Sequence, residues 1–185
     1  DVQQQIDFPN PGASAIPDML LSVQPNRIPG VFELLELRYN DQEIDGYTLE
    51  GQRLEWTLVS PLAPGQTARI EIHYRLTLPL IEQGDPNLTR PKIFGVSERQ
   101  VNLTDWYPML VPFQAKSGWL LHDPWFYGEH LVYPLANFEV SLHFAAPDRS
   151  TAFCHHNLKN LGPVMGGAMI FRRTQKPGII HRAQM

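Results

Sequence analysis

Residues 67–78 alternate strictly between apolar and polar side chains. The apolar set is Ala68, Ile70, Ile72, Tyr74, Leu76 and Leu78, and the polar set is Arg69, Glu71, His73, Arg75 and Thr77. A period of two places each set on one face of a β-strand, because successive side chains point to opposite faces. One apolar and one charged face are typical of an antiparallel sheet with one face in water. The segment therefore predicts such a sheet.

Shorter segments of the same kind recur along the chain, and no helical period interrupts them. They predict strands at residues 2–8, 19–23, 31–39, 47–49, 54–58 and 137–144. Turn-forming residues lie between them at 9–12, 24–26, 41–42, 50–52 and 61–65, and residues 83–92 read as a loop. Strands at this spacing predict an all-β fold, an antiparallel β-sandwich or a pair of saddle-shaped twisted sheets.

Residues 97–144 hold three of the four tryptophans, Trp106, Trp119 and Trp125. Trp-Tyr-Pro at 106–108 and Val-Pro at 111–112 exclude a helix interior, because proline lacks the N–H donor and restricts the preceding residue. The aromatics therefore lie on extended chain and turns. Their size favours burial, so the packed centre of a β domain explains this stretch as well as a site does.

Length and composition narrow the class of protein. A chain of 185 residues suits one domain, and a single cysteine, Cys154, excludes an internal disulfide. The net charge of −4 argues against nucleic acid as a partner, and no apolar run predicts a membrane segment. Because the chain begins at Asp1 within a predicted strand, we expect it to be a piece of a longer or processed protein.

Few residues suggest chemistry of their own. Asp123, Glu129 and His130 lie close in sequence and are candidates for an acid–base site, although a polar cap over aromatics explains them equally well. His155 and His156 are adjacent, and on a strand they would point to opposite faces, which disfavours metal binding. The sequence contains no His-Glu-x-x-His motif, so we predict no catalytic and no metal-ligating residue in this chain.

Several short motifs occur in an order found in a known family. They are Val-Gln-Pro-Asn-Arg at 23–27, Pro-Leu-Ala-Pro-Gly at 61–65, Ile-Glu-Ile-His-Tyr at 70–74, Phe-Gly at 94–95, Glu-Arg-Gln at 98–100 and Asp-Trp-Tyr-Pro at 105–108. Together with the strand at 137–144, they make residues 1–147 resemble the N-terminal domain of M1-family zinc metallopeptidases, the aminopeptidase N-like gluzincins, particularly the bacterial members.

The resemblance implies a saddle-shaped β module that packs against a thermolysin-like catalytic domain of the same parent protein, which is absent from this chain. Zinc would be bound in that catalytic domain. The position similar to the family's substrate-contacting glutamine is Gln100, although Trp106-Tyr107 stands where the family has Ala-Arg. The peptide substrate would then be met through the parent enzyme. The residues predicted to form the aromatic docking loop are Trp106, Tyr107, Trp119, Trp125, Glu129 and His130.

The last segment, residues 148–185, departs from the family pattern. Residues 1–150 carry 10 Lys and Arg against 19 Asp and Glu, whereas residues 151–185 carry five basic residues and no acid. A shifted reading frame near residues 148–160 would explain the change, because the alternative frame permits a family-like strand. We therefore expect an irregular tail that is frame-shifted or poorly ordered. A separate alternative is a stand-alone β-sandwich binding or adhesion module that uses the aromatic loops at 106–127.

Overall fold

The computed structural model describes residues 1–81, 94–98, 100–123, 134, 136–143, 159–164, 168–173 and 179–184. These ranges contain β-strands and one short 3-10 helix, Gln24–Arg27. The strands are β1 (Val2–Pro9), β2 (Ile16–Ser22), β3 (Phe32–Tyr39), β4 (Gln42–Glu43), β5 (Tyr47–Glu50), β6 (Arg53–Leu62), β7 (Thr67–Leu76), β8 (Gly95–Val96), β9 (Val101–Asn102), β10 (Met109–Leu110), β11 (Phe113–Gln114), β12 (Gly118–Trp119), β13 (Ala136–His143), β14 (Lys159–Val164), β15 (Ala168–Arg173) and β16 (Ile179–Gln184).

An eight-stranded sheet forms the larger layer, in the order β14-β15-β13-β16-β1-β7-β3-β4. Its neighbouring strands are antiparallel except for β13 and β16, which run parallel. A four-stranded sheet has the order β10-β2-β6-β5, and two small ribbons pair β11 with β12 and β8 with β9. The predicted all-β fold with antiparallel sheets is confirmed.

One hydrophobic cluster joins the two large sheets. It contains Ile6 and Ile70 from the larger sheet together with Leu21, Leu54 and Trp56 from the smaller one. Full burial of each aliphatic side chain contributes about 1.5–3 kcal/mol, so this shared cluster is the main force that holds the sheets together.

The alternation predicted for residues 67–78 is present in β7. Ala68, Ile70, Ile72 and Tyr74 are buried, whereas Arg69 and Arg75 on the opposite face are exposed. Arg75 pairs with Asp1 and Glu33 on the neighbouring chain segments, so the outward face is a charged surface. The prediction of one apolar and one wet face is confirmed at this strand.

Two tight turns connect neighbouring strands in the two large sheets. Gly51 has a φ of 54°, so Gly51 and Gln52 form a two-residue hairpin turn between β5 and β6. Asn40 and Asp41 have φ values of 48° and 65° and connect β3 to β4. The predicted turn at residues 41–42 was therefore shifted by one residue, because Asn40 and Asp41 are the pair that adopts the left-handed conformation.

β6 is longer than predicted. It extends to Leu62, so the loop predicted at residues 61–65 begins two residues later than expected. Pro61 lies within β6, and Leu62 pairs with Ile16 after a register irregularity. A proline is tolerated at such an irregularity because the regular ladder of hydrogen bonds is already interrupted there. β2 likewise begins at Ile16 rather than at residue 19, on the other side of the same irregularity.

The backbone of three segments beyond residue 147 lies in the larger sheet as β14, β15 and β16. β16 pairs with β1 through residues 180–184, and β7 lies on the other side of β1. The division at residue 147 and the non-native origin of the tail stay predictions. Among the described residues, no helix is both long enough and apolar enough to cross a membrane.

Candidate functional site

Gln100 directly precedes β9, in the connection of a ribbon made by β8 and β9. The Ser97 N–H donates to the Gln100 carbonyl oxygen at 2.9 Å, and the Gln100 N–H donates to Ser97 Oγ at 3.2 Å. These bonds fix the backbone of Gln100, while its side chain is exposed. Its amide is therefore a positioned donor and acceptor at the surface.

The β8–β9 ribbon is attached to the chain that follows β7. The Ile81 N–H donates to the Val96 carbonyl at 2.7 Å, and the Val96 N–H donates to the Pro79 carbonyl at 2.9 Å. Gly95 makes this close approach possible, since a Cβ there would lie 2.4 Å from the Pro79 oxygen. Gly95 also has a φ of 138°, a conformation that side chains disfavour.

Two apolar side chains are exposed at the same ribbon. Leu80, which forms a bridge with Val96, is 62% exposed, and Val101, which follows Gln100, is 55% exposed. Val96 pairs with both Leu80 and Val101, so these two residues flank the same strand, and Gln100 directly precedes Val101. We call Leu80, Gln100 and Val101 the ribbon patch.

The aromatic pair Trp106 and Tyr107 lies inside the fold. Trp106 is only 7% exposed, and its ring centroid is 5.1 Å from that of Tyr107 in an edge-to-face arrangement. Tyr107 in turn packs on Phe138 of β13 at 5.5 Å. The two aromatics therefore fasten the chain after the ribbon to the larger sheet.

A buried amide holds the same segment from the other side. Gln4 of β1 donates from Nε2 to the Pro108 carbonyl at 2.8 Å. The Tyr74 hydroxyl donates to Gln4 Oε1 at 3.5 Å. Gln4 occupies an inward position in the alternation of β1, which is why a polar residue there needs these partners.

Burial raises the pKa of the Tyr74 phenol well above its usual value of 10.0, and the neighbouring Tyr107 adds to the effect. The charged phenolate loses its hydration in the core, and nothing described beside it compensates for that loss. Tyr74 is therefore a neutral structural donor across the physiological pH range.

Trp119 lies on the β11–β12 ribbon. Its ring packs against Phe113 at 5.0 Å and against Phe8 at 6.2 Å. The indole Nε1–H donates to Asp18 Oδ1 of β2 at 2.7 Å. Trp119 thus joins its ribbon to both large sheets.

Asp123 is the one member of the proposed acid–base group that lies within the described residues. Its Oδ1 accepts from Gln52 Nε2 at 2.8 Å and faces Arg27 NH1 at 3.4 Å. Glu129 and His130, and the docking-loop residue Trp125, lie outside the described residues. The role of Asp123 that the structure describes is to fasten the chain near residue 122 to the turn at Gln52.

No protein-family model, curated protein or solved structure matches this chain. The functional interpretation therefore rests on the geometry described above and on the resemblance in the sequence.

A surface cleft of about 390 Å³ lies on the charged face of the larger sheet. Its polar lining mixes both signs of charge, with Glu36, Glu71, His73 and Arg38. Arg38 NH1 pairs with Glu36 Oε1 at 3.1 Å, so part of this charge is neutralised within the cleft. Within the described part of the chain, no group of three or more His, Cys, Asp or Glu side chains is placed to hold a metal ion.

The structure adds one residue that the sequence analysis did not identify. Gln52, the second residue of the β5–β6 turn, is buried, and its Oε1 accepts from Ser22 Oγ at 3.2 Å and also from Gln24 Nε2. Its Nε2 donates to the His122 carbonyl at 2.9 Å. No signal in the sequence separates this glutamine from an ordinary exposed turn residue, because its partners are distant in sequence.

Proposed function

We propose that this chain is a non-catalytic β domain of an M1-like zinc aminopeptidase. It docks on the catalytic domain of the same parent protein and forms one wall of the peptide-binding cleft. Gln100 is the residue of this chain that contacts the peptide. The zinc ion and the groups that activate water belong to the catalytic domain.

The observation that carries the proposal is the ribbon patch. An exposed amide, Gln100, lies in the same ribbon as the exposed apolar side chain of Val101, and Leu80 is bridged to that ribbon. Large exposed apolar side chains beside a polar contact residue are typical of a surface that a partner covers. The same patch thus suits both docking and substrate contact.

Rigid attachment of the patch supports a role in substrate contact. The ribbon is bonded to Pro79 and Ile81, and the chain after it is fastened by Trp106 and Gln4. A residue that orients a substrate is effective when its backbone is already in place, because little conformational entropy is then lost on binding.

The alternative of a stand-alone aromatic binding module has less support. Such a module needs exposed rings, whereas Trp106 is buried and Tyr107 and Trp119 are half-buried among other aromatics. The assignment of the aromatic loop to domain docking stays a prediction, and the described rings act mainly in packing.

The first test is association with the segment encoded downstream in the gene. We expect that segment to contain His-Glu-x-x-His and to bind this chain when the two are co-expressed. The double variant Leu80→Asp/Val101→Asp should weaken binding about tenfold or more, because each change buries a charge at the interface. Val59→Asp is the matched control, since Val59 is fully exposed in a different strand.

The second test measures peptide hydrolysis by the reconstituted pair. Gln100→Ala should lower kcat/KM about tenfold, which corresponds to about 1.4 kcal/mol of lost transition-state binding. Gln114→Ala changes another exposed glutamine and should leave kcat/KM unchanged. The absence of a downstream His-Glu-x-x-His motif, or turnover of an aminoacyl substrate by this chain alone with zinc, would refute the proposal.

A further inference from the structure

One open end of the two-sheet stack is formed by a single stretch of chain. β4 is the outermost strand of the eight-stranded sheet, and β5 is the outermost strand of the four-stranded sheet. Residues 44–46 join them directly. Residues 41–50 are all exposed apart from Ile44 and Leu49, which are partly buried.

The hairpin turn determines which main-chain groups of β5 face outward. In a two-residue hairpin the closing pair, here Glu50 and Arg53, exchanges hydrogen bonds across the turn. Pairs then alternate, so Thr48 also bonds to β6, while Tyr47 and Leu49 occupy the non-hydrogen-bonded positions. The N–H and C=O groups of Tyr47 and Leu49 therefore point away from β6, toward the open side.

The chain segment that forms this edge carries charge of one sign, and Arg38 and Arg53 lie opposite Glu43 and Glu50 on the neighbouring strands. Between Arg38 and Arg53 the chain contains Asp41, Glu43, Asp45 and Glu50 and no basic residue. None of these four carboxylates makes an ion pair with another residue in the described ranges. Elsewhere Glu33 and Glu36 have arginine partners.

We propose that β5 is a docking site for an extended basic segment of another polypeptide, which adds to the sheet as a further strand. Main-chain groups of Tyr47 and Leu49 would bond to the added strand, as in other cases of strand addition. Its alternate side chains would lie beside Tyr47 and Leu49 on one face and beside Thr48 and Glu50 on the other. The first set should be apolar and the second basic.

Charged side chains at the edge of a sheet commonly prevent two edges of the same charge from pairing. The carboxylates at β5 exclude acidic strands and a second copy of the same edge for that reason. They attract a basic strand, since complementary charge raises the association rate and selects the partner. This site is separate from the ribbon patch, so its test is independent of the proposed aminopeptidase function.

The probe is an acetylated, amidated peptide of about seven residues in which lysine alternates with valine, the length of a common strand. A second peptide with glutamate in place of lysine is the control. We expect the lysine peptide to bind the full chain at least about tenfold more tightly in fluorescence anisotropy. Asp45→Asn/Glu50→Gln should reduce this binding about tenfold, whereas Glu98→Gln, at an exposed acid on another ribbon, should not.

Hydrogen exchange separates strand addition from simple attraction between charges. On binding, the amide protons of Tyr47 and Leu49 should become protected, while those of Thr48 and Glu50, already bonded to β6, should change little. Binding without protection of Tyr47 and Leu49, equal binding of both peptides, or no binding of the lysine peptide would each overturn the proposal.

Discussion

At the residue scale, Gly95 shows how one missing side chain positions a candidate contact residue. The ribbon that carries Gln100 approaches Pro79 so closely that only glycine fits. Gly95 follows Phe94 in a motif that supports the resemblance, but the sequence alone did not reveal the close approach. Glycine is needed at this position because two chain segments that a loop separates in the sequence come into contact there.

We expect Gly95→Ala to destabilise the ribbon by about 1–3 kcal/mol, through the clash with the Pro79 oxygen and the strained backbone. Amide exchange of residues 95–102 should accelerate more than exchange in β7. Gly46→Ala is the matched control, because a Cβ at Gly46 has open space around it. Equal effects of the two substitutions would show that the contact is not restrictive.

Tyr74 gives a prediction about alkaline pH. Its pKa in the folded protein is raised above 10.0 by burial, so above pH 10 the unfolded chain releases the phenolic proton and the folded chain keeps it. The unfolded state then binds fewer protons, and the free energy of unfolding falls as pH rises, by up to about 1.4 kcal/mol per pH unit.

Denaturant titrations of the wild type and of Tyr74→Phe measure this contribution. The wild type should lose stability more steeply than the variant above pH 10, and the two slopes should coincide below pH 9 or so, where tyrosine is protonated in both states. Parallel slopes throughout the alkaline range would mean that Tyr74 ionises without unfolding.

At the scale of single elements, strand alternation could be predicted where one face is buried and the other is wet. β7 meets this condition over its whole length, and β1 also alternates because Gln4 finds partners inside. The two-residue strands β8 to β12 could not be predicted. Their few residues carry no period, and long-range pairing decides their conformation.

The site is less predictable than the strands for the same reason. The resemblance pointed to Gln100 and Trp106, and the size of the indole favoured burial of Trp106, but no sequence pattern predicted the contacts of either residue. Burial of Trp106 and exposure of Gln100 follow from how the loop lies on β1 and β13, which no local pattern encodes. Gln52 shows the same limit, since its partners are contributed by two distant segments, residues 22–24 and residue 122.

The β11–β12 ribbon depends on the bond between Trp119 and Asp18. We expect Asp18→Ala to destabilise the protein by about 1–3 kcal/mol, because a half-buried indole N–H loses a charged acceptor. Exchange of amides at residues 113–119 should rise most. Asp45→Ala removes an exposed acid outside this contact and should have little effect, so a similar loss in both variants would contradict the assignment.

At the scale of the whole molecule, the larger sheet places the first strand, β1, beside β16 near the end of the chain. β1 has β7 on one side and β16 on the other, so residues 180–184 cover what would otherwise be an open edge. The basic charge of the tail does not prevent this pairing, since the bonds of a sheet are made by the main chain.

Truncation after residue 147 tests the role of these residues. We expect a lower melting temperature, with about 2–4 °C lost per kcal/mol for a chain of this size, and self-association through the uncovered β1 edge. Light scattering and thermal unfolding measure the two effects. If the tail is instead a non-native translation with no packing role, the truncated chain will be monomeric and as stable as the full one.

The register between β2 and β6 shifts near Pro17. Thr57 pairs with Asp18 and Leu62 pairs with Ile16, so the four residues 58–61 of β6 lie opposite Pro17 alone. We call residues 58–61 the excursion. Val59 in this excursion is completely exposed. A fluorophore or short epitope introduced at Val59 therefore has room to be accommodated without repacking either layer. The excursion is a natural attachment point for labelling the protein in the binding experiments above.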